Sequence, residues 1–379
     1  MNKPIYLDYN GTTPHDPRVI EAMRPFLEED FGNPSSSHWY GKKPKQAVEQ
    51  ARGQVAACLG CRPDEILFTS GGTESNNHAL KSIAGNLFTK GTHIITSRIE
   101  HPAILEVCRF MEAHGFKVTY LPVDASGRVS VADVEATVTP ETIMISIMHA
   151  NNEVGTIQPI REIAEIAKAQ DILMHTDAAQ SIGKIPADVD DLNVHLLSLA
   201  GHKLYAPKGI GALFIHQTVR PSTFCHGAGQ EMGRRGGTEN VLEIVGLGTA
   251  CDIARKDLDT NQGHMEQMRN RLEVGLTDFI SDVRVNGHPK WRLPNTLSIS
   301  FLGLEANRIL DEISPEVAAS AGAACHADTI EVSHVLQAMK LPEDWAKGTI
   351  RLTTGRMTTE RDIDRAVDVI STAVRRLRG

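Results

Sequence analysis

The sequence predicts an α/β protein with a large domain on a mainly parallel sheet and a smaller α+β C-terminal domain. Three observations carry this. Seven apolar runs of strand length lie between Glu65 and Ile215, helix-like stretches separate several of them, and the texture changes after Gly237. Short, continuous apolar strands alternating with helices describe a sheet covered on both faces. The 379 residues, 41% of them hydrophobic, are enough for two or three units at about 100–200 residues each.

In order, the runs are EILFTS, HIITS, VTYLPV, TIMISIMH, ILMHTD, VHLLSLA and GIGALFI, a seven-stranded sheet. PAILEVCRFMEAHG and IREIAEIAKA, which lie between runs, have helical spacing. After Gly237 a long helical pattern runs from about Glu239 to Phe279. It is followed by a strand NTLSISF, the small-residue stretch AASAGAACHAD, a strand IRLTT and an Arg-rich terminal helix. The first ten or so residues are expected to pack on this second unit. The domains are therefore placed at 15–255 and at 1–14 with 256–379.

Composition narrows the function. A net charge of -8 argues against the basic stripe of a nucleic-acid-binding surface. The N-terminus MNKPIYLDYNGTTP lacks the apolar run of a signal peptide. No apolar stretch approaches the ~18 residues of a membrane helix. Six cysteines in so long a chain form no disulfide framework, and a soluble, cytoplasmic protein is expected. Cys58 and Cys61 form a CxxC where a helix ends, with no second pair or nearby His to complete a metal site, so they are structural and no metal is expected.

Parallel sheets bind ligands at the carboxyl ends of their strands, and four polar clusters stand there. Ser70 to Asn76 (SGGTESN) follows EILFT, and its glycines with a helix start suit an anion such as phosphate. Glu100-His101-Pro102 follows HIITS, with Pro102 suited to a first helical turn. Asp177-Ala178-Ala179-Gln180 follows ILMHT, and a carboxylate there needs a cation or strong donor. Gly201-His202-Lys203 follows VHLLSLA. Each cluster alone has a bland structural explanation.

Together they match one cofactor. Pyridoxal 5'-phosphate needs a lysine for its Schiff base, a carboxylate to keep its pyridine nitrogen protonated, and a phosphate cradle. Lys203, Asp177, and Gly72 with Thr73 supply these. His101 can stack on the ring and exchange protons, and Gln180 can donate to the ring hydroxyl.

The motifs TSGGTESNN, EHPAI, HANNEVG, HTDAAQ, GHKLYAPKGIGAL, RRGGTEN, AGAACHAD and IRLTTGRMT resemble those of class V aminotransferase-fold proteins. More narrowly, they resemble cysteine desulfurases and selenocysteine lyase. LDYNGTTP and GNPSSSH fit too, so the resemblance runs from about Tyr6 to the C-terminal helix. It implies a fold type I homodimer with the active site at the subunit interface. It also implies that Thr238 reaches the phosphate of the neighbouring subunit, that His202 joins Thr73 at the phosphate, and that Asn152 and Arg351 anchor the substrate carboxylate. A planar guanidinium suits that anchoring. Two positions depart from the pattern: Ala200 stands where many desulfurases have a phosphate-binding Ser, and Ala206 where a Gly is frequent.

By composition Cys325, in SAGAACH, reads as a small thiol packed in an Ala/Gly turn. The resemblance instead implies a nucleophile on a mobile loop, with His326 helping to form thiolate. Cys108, Cys225 and Cys251 have no comparable setting. The implied reaction removes sulfur from L-cysteine, leaving L-alanine and a persulfide on Cys325. The spacing from Cys325 to Ser333 resembles desulfurases that supply iron–sulfur scaffold proteins, whereas AGAACHAD is closer to selenocysteine lyase. A selenocysteine lyase acting on L-selenocysteine, or a cysteine C–S lyase, therefore stays open. So do an aminotransferase and, in another class, a non-catalytic phosphate-binding protein needing neither Asp177 nor Lys203.

Overall fold

A computed structural model describes residues 3–326 and 329–379, with side chains for all of these except 83–84 and 323–331. The seven apolar runs become the strands Ile66–Thr69, His93–Ser97, Lys117–Leu121, Thr142–Ser146, Leu173–Asp177, Leu196–Ala200 and Gly211–Ile215. Across the sheet their order by first residue is 66, 211, 196, 173, 142, 93, 117. The five strands from Leu196–Ala200 to Lys117–Leu121 are mutually parallel. Gly211–Ile215 runs antiparallel to both its neighbours. Every residue of the strands starting at 66, 93, 142, 196 and 211 is buried, while the edge strand begins with exposed Lys117. Burial on both faces explains why these runs are continuously apolar rather than alternating.

The helices cover that sheet through single apolar stripes. Pro102–Glu112 buries Ala103, Ile104, Val107, Cys108 and Met111, and Ile160–Ala169 buries Ile160, Ile163, Ala164 and Ala167. Both series follow the three-and-four spacing of one helical face. Each buried Ile or Val contributes roughly 1.5–3 kcal/mol relative to an exposed one. An Asp at position 163 would instead bury an unpaired charge.

The pattern from Glu239 to Phe279 is two helices rather than one, Val241–Lys256 and Leu258–Phe279. Asp257 leaves the helical region at φ -104° and ψ 11°, and its carboxylate pairs with Arg18 at 3.1 Å. Periodicity continues across such a corner, which is why the sequence alone does not mark it. Beyond it, a four-stranded antiparallel sheet has the order Ser320–Ala321, Thr349–Thr353, Thr296–Phe301, Val283–Asn286. Leu258–Phe279 and Glu360–Arg378 share a second apolar core with this sheet. The last helix starts with a capping box of Thr359 and Asp362 and ends on Arg375, Arg376 and Arg378, which suit its dipole. The strand Ile5–Tyr6 runs parallel to Val317–Ala318, and Leu7 is buried in the same second core.

Candidate active site

The carboxyl ends of the parallel strands open onto a cavity of about 410 Å³. Gly72, Thr73, His101, Asn152, Asp177, Gln180, His202, Lys203 and Arg351 all line it. The structure thus brings together nine of the sequence-predicted residues. A larger hollow of 550 Å³ beside Asp124, Arg128 and Glu162 has neither a lysine nor a histidine in its lining.

Thr69 ends a buried strand, and Gly71, at φ 148° and ψ 179°, starts the helix Gly72–Asn77. A Cβ on Gly211 would lie 2.7 Å from the Gly71 backbone, so this turn requires a glycine opposite it. A Cβ on Gly72 would sit 3.3 Å from the methyl of Ala200. Gly72 and Ala200 thus meet closely in the cavity lining. One helical turn beyond Gly72, Asn76 Nδ2 donates to Asp177 Oδ2 at 2.7 Å.

Asp177 is the last residue of its strand and 8% exposed. Its Oδ1 accepts the Ala179 N–H at 3.0 Å. Two donors therefore hold a buried carboxylate beside the cavity with no cation in either bond. Lys203 follows the next strand, and its Nζ donates to the carbonyls of Asn10 at 2.5 Å and Gly11 at 2.6 Å. Burial, and then the nearby Arg351 charge, push its amine down to about 8, although Asp8 and Asp177 oppose this.

His101 caps the helix Pro102–Glu112, its Nδ1 accepting the Ala103 N–H at 3.1 Å. That bond leaves the proton of the neutral ring on Nε2. Burial lowers its pKa, Asp177 partly offsets this, and the Lys203 charge lowers it further. Burial takes His202 down to about 4, helped by the charges of Lys203 and Lys208. Both rings are accordingly neutral.

Gln180 does not point its donor at open space. Its Nε2 donates to Asn10 O at 3.0 Å, and its Oε1 accepts from Lys184 at 2.9 Å. Lys184 is buried and also donates to Asn10 Oδ1 at 2.9 Å. Burial drives its pKa well below the ordinary lysine value. Arg351 Nη2 donates to Asp8 Oδ1 at 2.7 Å, and Nη1 to the Asn152 carbonyl at 3.1 Å. Sequence reasoning assigned no role to Asp8, Asn10, Gly11, Asn76 or Lys184. The first three lie in LDYNGTTP, and Asn76 stands on the same helical face as Gly72 and Thr73.

Two expected residues stand apart. Thr238 is exposed and outside the cavity lining. Cys325 lies in the strand Ala323–His326, which pairs antiparallel with Thr329–Val332. The stretch expected as a mobile loop thus carries two paired strands. The side chains of Cys325 and His326 lie outside the described residues, and so do the thiolate expectations made of them. Just beyond the second strand, Ser333 Oγ donates to Glu153 Oε2 at 2.5 Å and His334 Nε2 meets the Glu100 carbonyl at 3.0 Å, next in sequence to the cavity-lining Asn152 and His101.

A lysine with a lowered pKa, a buried carboxylate needing a cationic partner, and a glycine-floored anion cradle suit pyridoxal phosphate, an aldehyde with a basic ring nitrogen and a phosphate. The fold and site together are those of a pyridoxal-phosphate enzyme. The chain belongs to the class-V aminotransferase family, whose model matches residues 5–366. Among its relatives, cysteine desulfurase IscS of Dictyoglomus turgidum is 47% identical, over 100% of this chain and 96% of that protein. A solved NifS-like protein superposes with a TM-score of 0.93 at 38% identity, covering 98% of this chain and 99% of that one. The solved structure of SspA in complex with cysteine gives a TM-score of 0.82 at 39% identity, with 93% and 99% covered.

Proposed function

We propose that the protein is a pyridoxal-phosphate-dependent cysteine desulfurase that takes sulfur from L-cysteine onto Cys325 and releases L-alanine. The observation that carries this is the single cavity in which the Lys203 amine, the Asp177 carboxylate and the Arg351 guanidinium converge. The full-length likeness to cysteine desulfurases supports the choice of reaction.

When bound, the cofactor supplies an electron sink for the carbanion at the substrate Cα. In this reading Lys203 holds the aldehyde, and its amine then carries protons at the substrate. Asp177, kept in place by Asn76 and Ala179, pairs with the ring N–H. Gly72, Thr73 and His202 hold the phosphate, with Thr238 of the partner subunit. His101 would stack on the ring and exchange protons, and Gln180, braced by Lys184, would donate to the ring hydroxyl by giving up its bond to the Asn10 carbonyl. Asn152 and Arg351 hold the substrate carboxylate. The Cys325 thiolate attacks the substrate sulfur, the Cβ–S bond breaks, and Cβ is protonated to give alanine. The covalent carrier divides one hard step into easier ones.

A homodimer completes this reading, and an exposed aromatic group of Phe31, Trp39 and Tyr40 gives it a contact surface. The sulfur passes on to an acceptor such as an iron–sulfur scaffold protein. No helix among the described residues is long and apolar enough to cross a membrane, and the described cysteines are free. Both agree with a cytoplasmic setting.

The deciding experiment is mass spectrometry after incubation with L-cysteine, which is expected to find one added sulfur on Cys325. Full desulfuration by Cys325→Ala would overturn the carrier role. The His after Cys325 keeps selenocysteine lyase as the second reading. Turnover of L-selenocysteine, but not L-cysteine, would select it.

A further inference from the structure

The three nitrogens of the Arg351 guanidinium are in different states. Nη2 donates to Asp8 Oδ1 at 2.7 Å, Nη1 donates to the Asn152 carbonyl at 3.1 Å, and Nε is buried with no partner among the described residues. The Arg351 side chain is 11% exposed and that of Asp8 is 23%. The pair is therefore largely withdrawn from water and poorly screened.

Asp8 is held at this spot by its backbone. It forms a parallel bridge with Thr353, two residues beyond Arg351. The turn that follows folds back so closely that a Cβ on Gly11 would lie 2.3 Å from Asp8 Oδ2. The same turn presents the Asn10 and Gly11 carbonyls to Lys203. One short segment thus brings a carboxylate to the arginine and two carbonyls to the lysine.

A carboxylate ligand meets a guanidinium best through two parallel N–H bonds. Each bidentate edge, Nη1 with Nη2 or Nε with Nη2, includes Nη2. That is the nitrogen Asp8 already holds. We propose that Asp8 is the resident counter-ion of Arg351, a positioning residue that the α-carboxylate of the amino-acid substrate must displace. It thereby sets the substrate KM. This rests on reading Arg351 as the carboxylate anchor.

Charge supports the exchange. An arginine this withdrawn from water is costly without an anion, and Asp8 supplies one between turnovers. When substrate enters, its carboxylate takes over the neutralisation of the guanidinium, and the Asp8 carboxylate, already 23% exposed, is left to water. Asp8 thus trades affinity for a site that is never left with a bare cation.

The test uses the holoenzyme, with steady-state kinetics on L-cysteine and calorimetric titration with L-alanine, which carries the same carboxylate and no sulfur. Asp8→Asn is expected to lower both KM and the L-alanine Kd by about three- to ten-fold, with a smaller change in kcat. Asp8→Ala should do the same, and it serves if the Asn variant does not fold. A merely structural Asp8 would raise KM on mutation. A variant with wild-type thermal stability that binds L-alanine no more tightly overturns the proposal. Arg351→Gln separates the two layers. If it binds L-alanine normally, Arg351 is not the anchor. If it loses binding while neither Asp8 variant gains any, only the role of Asp8 falls.

Discussion

The two ends of the cavity are built by different means. At the end proposed for the cofactor, Asp177 closes its strand, Lys203 follows the adjacent strand, and Gly72 follows a third strand beyond Gly211–Ile215, so ladder hydrogen bonds position them. At the substrate end, Asp8 and Arg351 come from segments separated by 343 positions, and the N-terminal segment joins them. Only the docking of that segment makes the pair. The substrate end is where one carboxylate can be exchanged for another.

Substitutions should separate these ends. In the proposed reading, Lys203→Ala removes the cofactor's covalent attachment. Borohydride should then fix no label in the peptide, and alanine formation should fall by at least about a thousand-fold. Arg351→Gln acts on the substrate end, raising the KM for L-cysteine by about ten- to a hundred-fold with far less change in kcat. Equal losses in KM and kcat would mean the ends are not separable.

The pH dependence of cofactor capture probes Lys203. With its amine pushed down to about 8, Lys203 is uncharged in roughly a tenth of molecules at pH 7 and roughly nine-tenths at pH 9. Capture by cofactor-free protein, followed by absorbance, should rise about ten-fold across that interval. A midpoint near the ordinary lysine value of about 10.4 would show an amine that is not desolvated. The smallest effect is expected far from both ends. Cys61, its thiol pushed up to about 12 mainly by burial, should be inert, and Cys61→Ser should leave kcat/KM within about two-fold.

The cofactor end was legible in the sequence because its residues follow strand-like runs at once. A strand's end is a local signal, and a parallel sheet lines up such ends on one edge. Gly72, Thr73, His101, Asp177, His202 and Lys203, which line one cavity, all stand in clusters at such ends, although the phosphate role expected of His202 comes only from the family resemblance. Asn76 was missed although its spacing from Gly72 and Thr73 placed it on their face. Asp8, Asn10 and Lys184 carry no local mark. A buried lysine such as Lys184 is recognised only once its acceptors, Asn10 Oδ1 and Gln180 Oε1, have been brought around it. The corner at Asp257 escaped because apolar periodicity does not record a change of axis.

By itself the sequence determined the strands, their apolar character and the chemical groups that follow them, since these depend on residue type and short-range spacing. Only the tertiary structure decided which distant groups share one nitrogen or one carbonyl: Asp8 on Arg351, Asn10 and Gly11 on Lys203. Such contacts form when separate segments close on each other, and nothing in the chain's local order encodes the distance between them.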